Sequence, residues 1–239
     1  MSKLSKLFCF TLALAVSCSA QVFTNLQKDA DRIKYCVGPA CAGGIATPTS
    51  YSVSEAAAPD GTSSLEFTET GGQYANALAY FSNGATSANY FMHDIWFYVD
   101  SDALDVAQTF EFDNYVYTTP YRWMFGSHCV VDGDWYGWND NTQHWVDTKI
   151  PCKLNLGWNH LTQWSHRTLA RACSGMPCTY QDTWEINGKT YPINIVTPAS
   201  NLPGGWGDSS GAQVQLGTNS KGGTLTVWYK NWNFTELGQ

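Results

Sequence analysis

Apolar and polar positions alternate along most of this chain in short runs, and the runs stop at Gly, Asn, Asp and Pro. Such alternation predicts half-buried strands, because successive side chains of a strand point to opposite faces. The strand-like runs are residues 64–69, 89–100, 106–118, 121–130, 134–138, 143–148, 159–168, 180–186, 189–195, 212–217 and 223–234. No stretch after residue 20 keeps a helical period. Many short strands with turn signals between them, and no linker or charge run, predict one all-β domain over residues 21–239, an antiparallel β-sandwich. The small, polar stretch 42–64 makes residues 21–60 a loosely structured leading segment.

Alternation also assigns faces. In 106–118, Phe110, Phe112 and Val116 point toward a core, while Thr109, Glu111, Asp113, Tyr115 and Tyr117 point away. Asn187-Gly188 predicts a type I′ hairpin, since both residues accept positive φ, and it pairs Trp184 with Tyr191. A second hairpin lies in DWYGWNDNTQHWVDTKIPC, residues 134–152, turning at NDNT. Its expected pairs are Trp138 with Gln143, Tyr136 with Trp145 and Trp135 with Val146. Tyr136, Trp138, Gln143 and Trp145 then share one face, and Trp135, Gly137, His144 and Val146 the other. The same register brings Cys129 opposite Cys152. Two readings of the crowded rings remain open: an exposed platform, or cover for a sheet edge.

Composition narrows the partner. Charged residues are 14% of the chain, against roughly 25% in an average globular protein. The formal net charge of −7 argues against a nucleic-acid partner, which needs a basic face. Lys3 and Lys6 precede an apolar run that ends in SCSA, the pattern of a secretory signal over residues 1–20. Cleavage after Ala20 removes those two lysines, takes the charge from −7 to −9, and places the protein outside the cell or in a periplasm. Acylation at Cys18 is the alternative, with Ala15 where leucine is usual. No second apolar run is long enough to span a bilayer.

Export permits disulfides. Cys36–Cys41 and Cys173–Cys178 each enclose a short segment with the Gly and Pro of a tight turn, which leaves Cys129–Cys152. Neither short pair has zinc-ligand spacing. DGDWYGWND begins like a calcium loop, but Tyr136 stands at its fifth place and Gln143 where a bidentate Glu belongs. No metal or organic cofactor is expected, and a structural calcium of another geometry stays open.

Glu111 and Asp113, two residues apart on one strand face, lie roughly 7 Å apart at Cα. Such a pair serves acid/base work on glycosidic bonds, holds a cation or hydrogen-bonds sugar hydroxyls; a merely solvated face is the plainer alternative. GDSSG, residues 207–211, has the nucleophile-elbow pattern around Ser209, but no helix follows and the last histidine is His166. Among the histidines, His160 and His166 are too far apart along a strand to share a metal, and His128 precedes Ser209 without the rest of a serine-protease pattern. Asn233 opens an NFT sequon.

FEFD on a strand, DIWFYVD, WNHLTQW and the closing LTVWYKNWNF resemble the concanavalin A-like lectin and glucanase jelly rolls, in particular laminin G-like secreted domains, over about residues 60–235. The resemblance implies two curved antiparallel sheets that hold sugar on a concave face or a rim. In its laminarinase-type members a nucleophilic Glu, a helper Asp and an acid/base Glu alternate along one strand. Glu111 and Asp113 match the first two places; Tyr115 occupies the third, which counts against retaining hydrolysis, and Glu185 is the remaining spatial substitute. The expected function is polysaccharide binding through Tyr136, Trp138, Gln143 and Trp145, with Glu111, Asp113 and Tyr117. The alternatives are a polysaccharide hydrolase or lyase with Glu111, Asp113 and Tyr115 as catalytic candidates, and a structural or adhesive surface protein.

Overall fold

The computed structural model describes residues 20–38 and 44–238. In chain order the strands are β1 Ala20–Phe23, β2 Ile33–Val37, β3 Ser50–Ala57, β4 Ser63–Gly71, β5 Asn76–Asn83, β6 Tyr90–Val99, β7 Ala107–Thr118 and β8 Tyr121–Val130. They continue as β9 Asp134–Asn139, β10 His144–Pro151, β11 Gly157–Arg167, β12 Cys178–Ile186, β13 Lys189–Pro198, β14 Ser200–Asn201, β15 Ser209–Thr218 and β16 Gly223–Leu237. A short helix, α1, spans Ser101–Val106.

The strands form two antiparallel sheets, so the fold is an all-β sandwich. One, sheet I, runs β13-β12-β11-β6-β16-β4-β3, with β1 beside β16. The other, sheet II, runs β10-β9-β8-β7-β15-β5-β2, with β14 beside β8. Between them lies an aromatic core. Phe112 and Trp135 of sheet II meet Phe97 and Trp184 of sheet I, with ring centroids 4.8 Å apart for Phe97–Phe112 and 6.1 Å for Trp135–Trp184. Each large side chain buried this way stabilises the fold by about 1.5–3 kcal/mol.

Phe110, Phe112 and Val116 face this core, as their alternation requires. The Asn187-Gly188 turn pairs Trp184 with Tyr191, both turn residues having positive φ. β2, β3 and most of β1 fall within residues 21–60. β3 is mostly Ser and Ala with Tyr51, Val53 and Glu55 between them, and most of it is exposed, so its apolar pattern is faint; backbone pairing with β4 makes it a strand. Helix α1 escaped a periodic reading because it is short, and the Asp100 carboxylate caps it by accepting from the Ala103 amide at 2.8 Å.

The Trp-rich hairpin is the main correction. Trp138 pairs with Trp145 and Tyr136 with Asp147, two residues out from the expected register. Asn139 causes the difference: its side chain accepts from the Asn141 and Thr142 amides and its carbonyl from Gln143, which widens the turn. A bulge between Asp147 and Ile150 then sets Ile150 against Trp135. Thr148 occupies that bulge and donates to the Trp135 carbonyl at 2.6 Å.

Cys129–Cys152 is formed with a Cα separation of 5.3 Å, although not through hairpin pairing. Cys129 sits opposite Trp135 across β8 and β9, and the Cys152 amide bonds to the Gly133 carbonyl, so the bridge clasps the open end of the hairpin. Cys173–Cys178 is also formed, at 5.4 Å. The expected Cys36–Cys41 bridge involves Cys41, and the expected signal over residues 1–20 includes Cys18 and, of the described residues, only Ala20; Cys41 and residues 1–19 lie outside the described residues. No helix among the described residues is long and apolar enough to cross a membrane.

Candidate functional site: the outer face of sheet II

The face of sheet II turned away from the core carries the polar side of β7. Strand pairing lays the side chains out in rows. One row runs Gln215, Glu111, His128, Tyr136; the next runs Gln213, Asp113, Gly126. Trp138 and Trp145 stand beside the second row, in edge contact with ring centroids 5.0 Å apart. Glu111, Asp113, His128, Trp138, Trp145 and the two glutamines line one open cavity of about 420 Å³, a size typical of small-ligand sites.

The acidic pair is held by amides from β15. Gln215 Nε2 donates to Glu111 Oε2 at 2.9 Å, and Gln213 Nε2 donates to Asp113 Oδ2. Burial, then the neighbouring Asp113 charge, raises the Glu111 carboxyl well above the ordinary range. Burial also pushes Asp113 up to about 7, against the hydrogen bonds from Glu111 and Gln213. Two carboxyls this close cannot both ionise cheaply, so Glu111 holds its proton more tightly than a free carboxyl does. His128 packs its ring on Trp145 at 3.9 Å, and burial lowers its pKa to about 4, leaving a neutral imidazole.

The remaining sequence candidates separate into three groups. Tyr136 stays on the outer face, edge-on to His128 at 5.2 Å. Gln143 does not join the platform: it sits exposed in the turn with φ 54. Tyr115 and Tyr117 lie further along β7, stacked at 4.8 Å, and line an adjoining cavity. The Tyr115 hydroxyl donates to the Phe81 carbonyl and the Tyr117 hydroxyl to Met124 Sδ, and burial raises both phenols.

Glu185 lies on β12 of sheet I, next to the core-facing Trp184, so it points away from sheet II and cannot reach Glu111. Ser209 opens β15 opposite Tyr117, with no helix after it. His160 and His166 belong to sheet I and bind Asp94 and Asp182, each at 2.7 Å. Asn233 donates to Asp94 at 3.0 Å. Among the described residues no group of three or more His, Cys, Asp or Glu side chains is arranged to hold a metal ion.

Sequence reading overlooked Gln213, Gln215 and Gly126 and did not connect His128 with the acidic pair. The glutamines had a signal, since AQVQLG alternates and its two Gln share a face. Nothing local tied that face to Glu111.

No family model and no curated protein matches the chain. Several solved structures resemble it in fold. One is a carbohydrate-binding module of the β-sandwich superfamily, 12% identical with TM-score 0.40, covering 84% of this chain; this chain spans 56% of that one. Another is alginate lyase vAL-1 from a Chlorella virus, 10% identical with TM-score 0.48, covering 90% of this chain and 98% of that one. A third is the CBM2 module of the evolved Dit of Lactobacillus casei BL23 phage J-1, 9% identical with TM-score 0.49, covering 94% and 99%.

Proposed function

We propose that the protein binds a polysaccharide through the outer face of sheet II. The observation that carries this reading is the convergence of Trp138 and Trp145, two glutamine amides and the carboxyls they hold on one open cavity. Aromatic rings suit the apolar faces of sugar rings. The amides, His128 and the carboxyls offer donors and acceptors for hydroxyls on the same wall.

Binding fits the geometry better than hydrolysis by this acidic pair. A retaining glycosidase keeps its two carboxyls about 5–5.5 Å apart, on either side of the scissile bond. Here Glu111 and Asp113 stand on one face of β7, each held by a glutamine amide of β15, and Glu185 lies on the other sheet. Tyr115, the third catalytic candidate, has its hydroxyl committed to a backbone carbonyl.

We also read residues 1–20 as a secretory signal, so that Gln21 becomes the first residue of β1; intact-mass measurement of the exported protein checks the cleavage point. The function is tested with a panel of neutral and acidic polysaccharides, scored for retention and for new reducing or unsaturated ends. Saturable retention without new ends supports binding. New ends that disappear in Glu111→Gln establish the enzyme alternative, and neither signal favours a structural role.

A further inference from the structure

A second cavity, of about 430 Å³, adjoins the first, and Met124 and Gln213 line both. Trp206, 48% exposed, stands at its edge with its ring 5.1 Å from Tyr117. The loop bearing Trp206 is flanked by Gly204, Gly205 and Gly207, none of which has a neighbour within 4 Å of a Cβ position. Asp208 anchors that loop by accepting from the Thr119 amide at 2.9 Å and its hydroxyl at 2.8 Å.

The two cavities are also tied together mechanically. Arg122 lines the second cavity and bonds to the buried Asp140 at 3.1 Å. Asp140 follows β9, which carries Trp138, and it also accepts from the Ser200 hydroxyl at 2.7 Å. Thr109 lines the first cavity and Tyr117 the second, eight steps along β7, so the joint floor is roughly 26 Å long at about 3.3 Å per residue. Aromatic rings stand at both parts of this floor, with polar side chains between them.

We propose that the two cavities hold one extended saccharide chain, with a unit stacked at Trp206 and Tyr117 several units away from the one held at Trp138 and Trp145. This rests on the polysaccharide-binding reading and adds the ligand class: an unbranched oligosaccharide segment, longer than a disaccharide, lying along β7. Trp206 is the residue that reads its length.

The test titrates the full chain calorimetrically with a disaccharide-to-octasaccharide series cut from a polysaccharide the protein retains. Affinity should climb with length and then level off once both cavities are filled. Trp206→Ala should weaken the longer members at least tenfold and leave the disaccharide unchanged, Trp206→Tyr should restore most of the loss, and Trp138→Ala should weaken every member. An unchanged melting temperature for Trp206→Ala is expected, because the ring is half exposed. Affinity that levels off at the disaccharide, or a Trp206→Ala loss equal at every length, overturns the extended groove while leaving polysaccharide binding in place. If the panel yields no retained polysaccharide, the binding reading falls and takes this one with it.

Discussion

The Asp113 carboxyl rests directly over Gly126: a Cβ at that glycine would stand 2.5 Å from Asp113 Oδ1 and 3.1 Å from both Trp138 Cβ and Trp145 Cη2. Gly126 is therefore the floor that lets carboxyl and indoles meet. Gly126→Ala should displace all three and weaken polysaccharide binding by more than tenfold. Overpacking costs about 1–3 kcal/mol, so the variant should still fold. Calorimetric binding and thermal melts on the same preparation check it.

The acidic pair makes stability depend on pH. Asp113 moves from 3.8 to about 7 on folding, so the native state binds the proton more tightly than the unfolded chain. Its contribution to stability is therefore greatest below about pH 4 and declines as pH rises toward 7. A shift of this size is worth on the order of 4 kcal/mol. Asp113→Asn should raise stability at pH 8 by up to that order and change it little at pH 4. Urea melts at the two pH values measure the difference; equal effects at both would show that folding does not raise the Asp113 pKa.

Glu69 offers a second, independent pH effect. It is fully buried on β4, and burial pushes its pKa up to about 9 despite the Ala77 amide. The acid is held neutral at pH 7, so Glu69→Gln should stabilise the fold there, flatten the fall in stability between about pH 4 and 9, and leave polysaccharide binding unchanged. Urea melts across that range, with binding assayed alongside, check it.

The two tryptophans of β9 should behave in opposite ways. Trp135 is fully buried between the sheets, and Trp135→Ala should cost about 3–5 kcal/mol. Trp138 lines the cavity, and Trp138→Ala should lower affinity with a much smaller change in melting temperature. Unfolding of Trp138→Ala instead would place that ring among the structural supports.

Removing the Cys129–Cys152 bridge should cost about 2–4 kcal/mol, since it closes a loop with a sequence separation of 23. Denaturant melts of Cys129→Ala/Cys152→Ala test this. The bridge clasps the open end of the hairpin, so affinity at Trp138 and Trp145 should also fall.

Much of this arrangement was legible from residues alone. Alternation along β7 separated Phe110 and Phe112 from Glu111, Asp113, Tyr115 and Tyr117, and Asn187-Gly188 set the register of its hairpin. The Trp-rich hairpin shows the limit. The expected face for Tyr136, Trp138 and Trp145 held, because a shift of two residues preserves facing, while Gln143 moved into the turn once Asn139 widened it.

Side-chain facing in a strand follows from backbone geometry over two residues, and the sequence carries it by itself. Neighbourhood across a sheet does not follow in that way. Gln213 and Gln215 reach Asp113 and Glu111 across sequence separations of 100 and 104, because β15 inserts between β7 and β5. That insertion is decided by which strands bury their apolar faces together and satisfy one another's backbone groups. The sequence determined which side chains leave the core; tertiary structure alone decided that two carboxyls, two amides, an imidazole and two indoles surround one cavity.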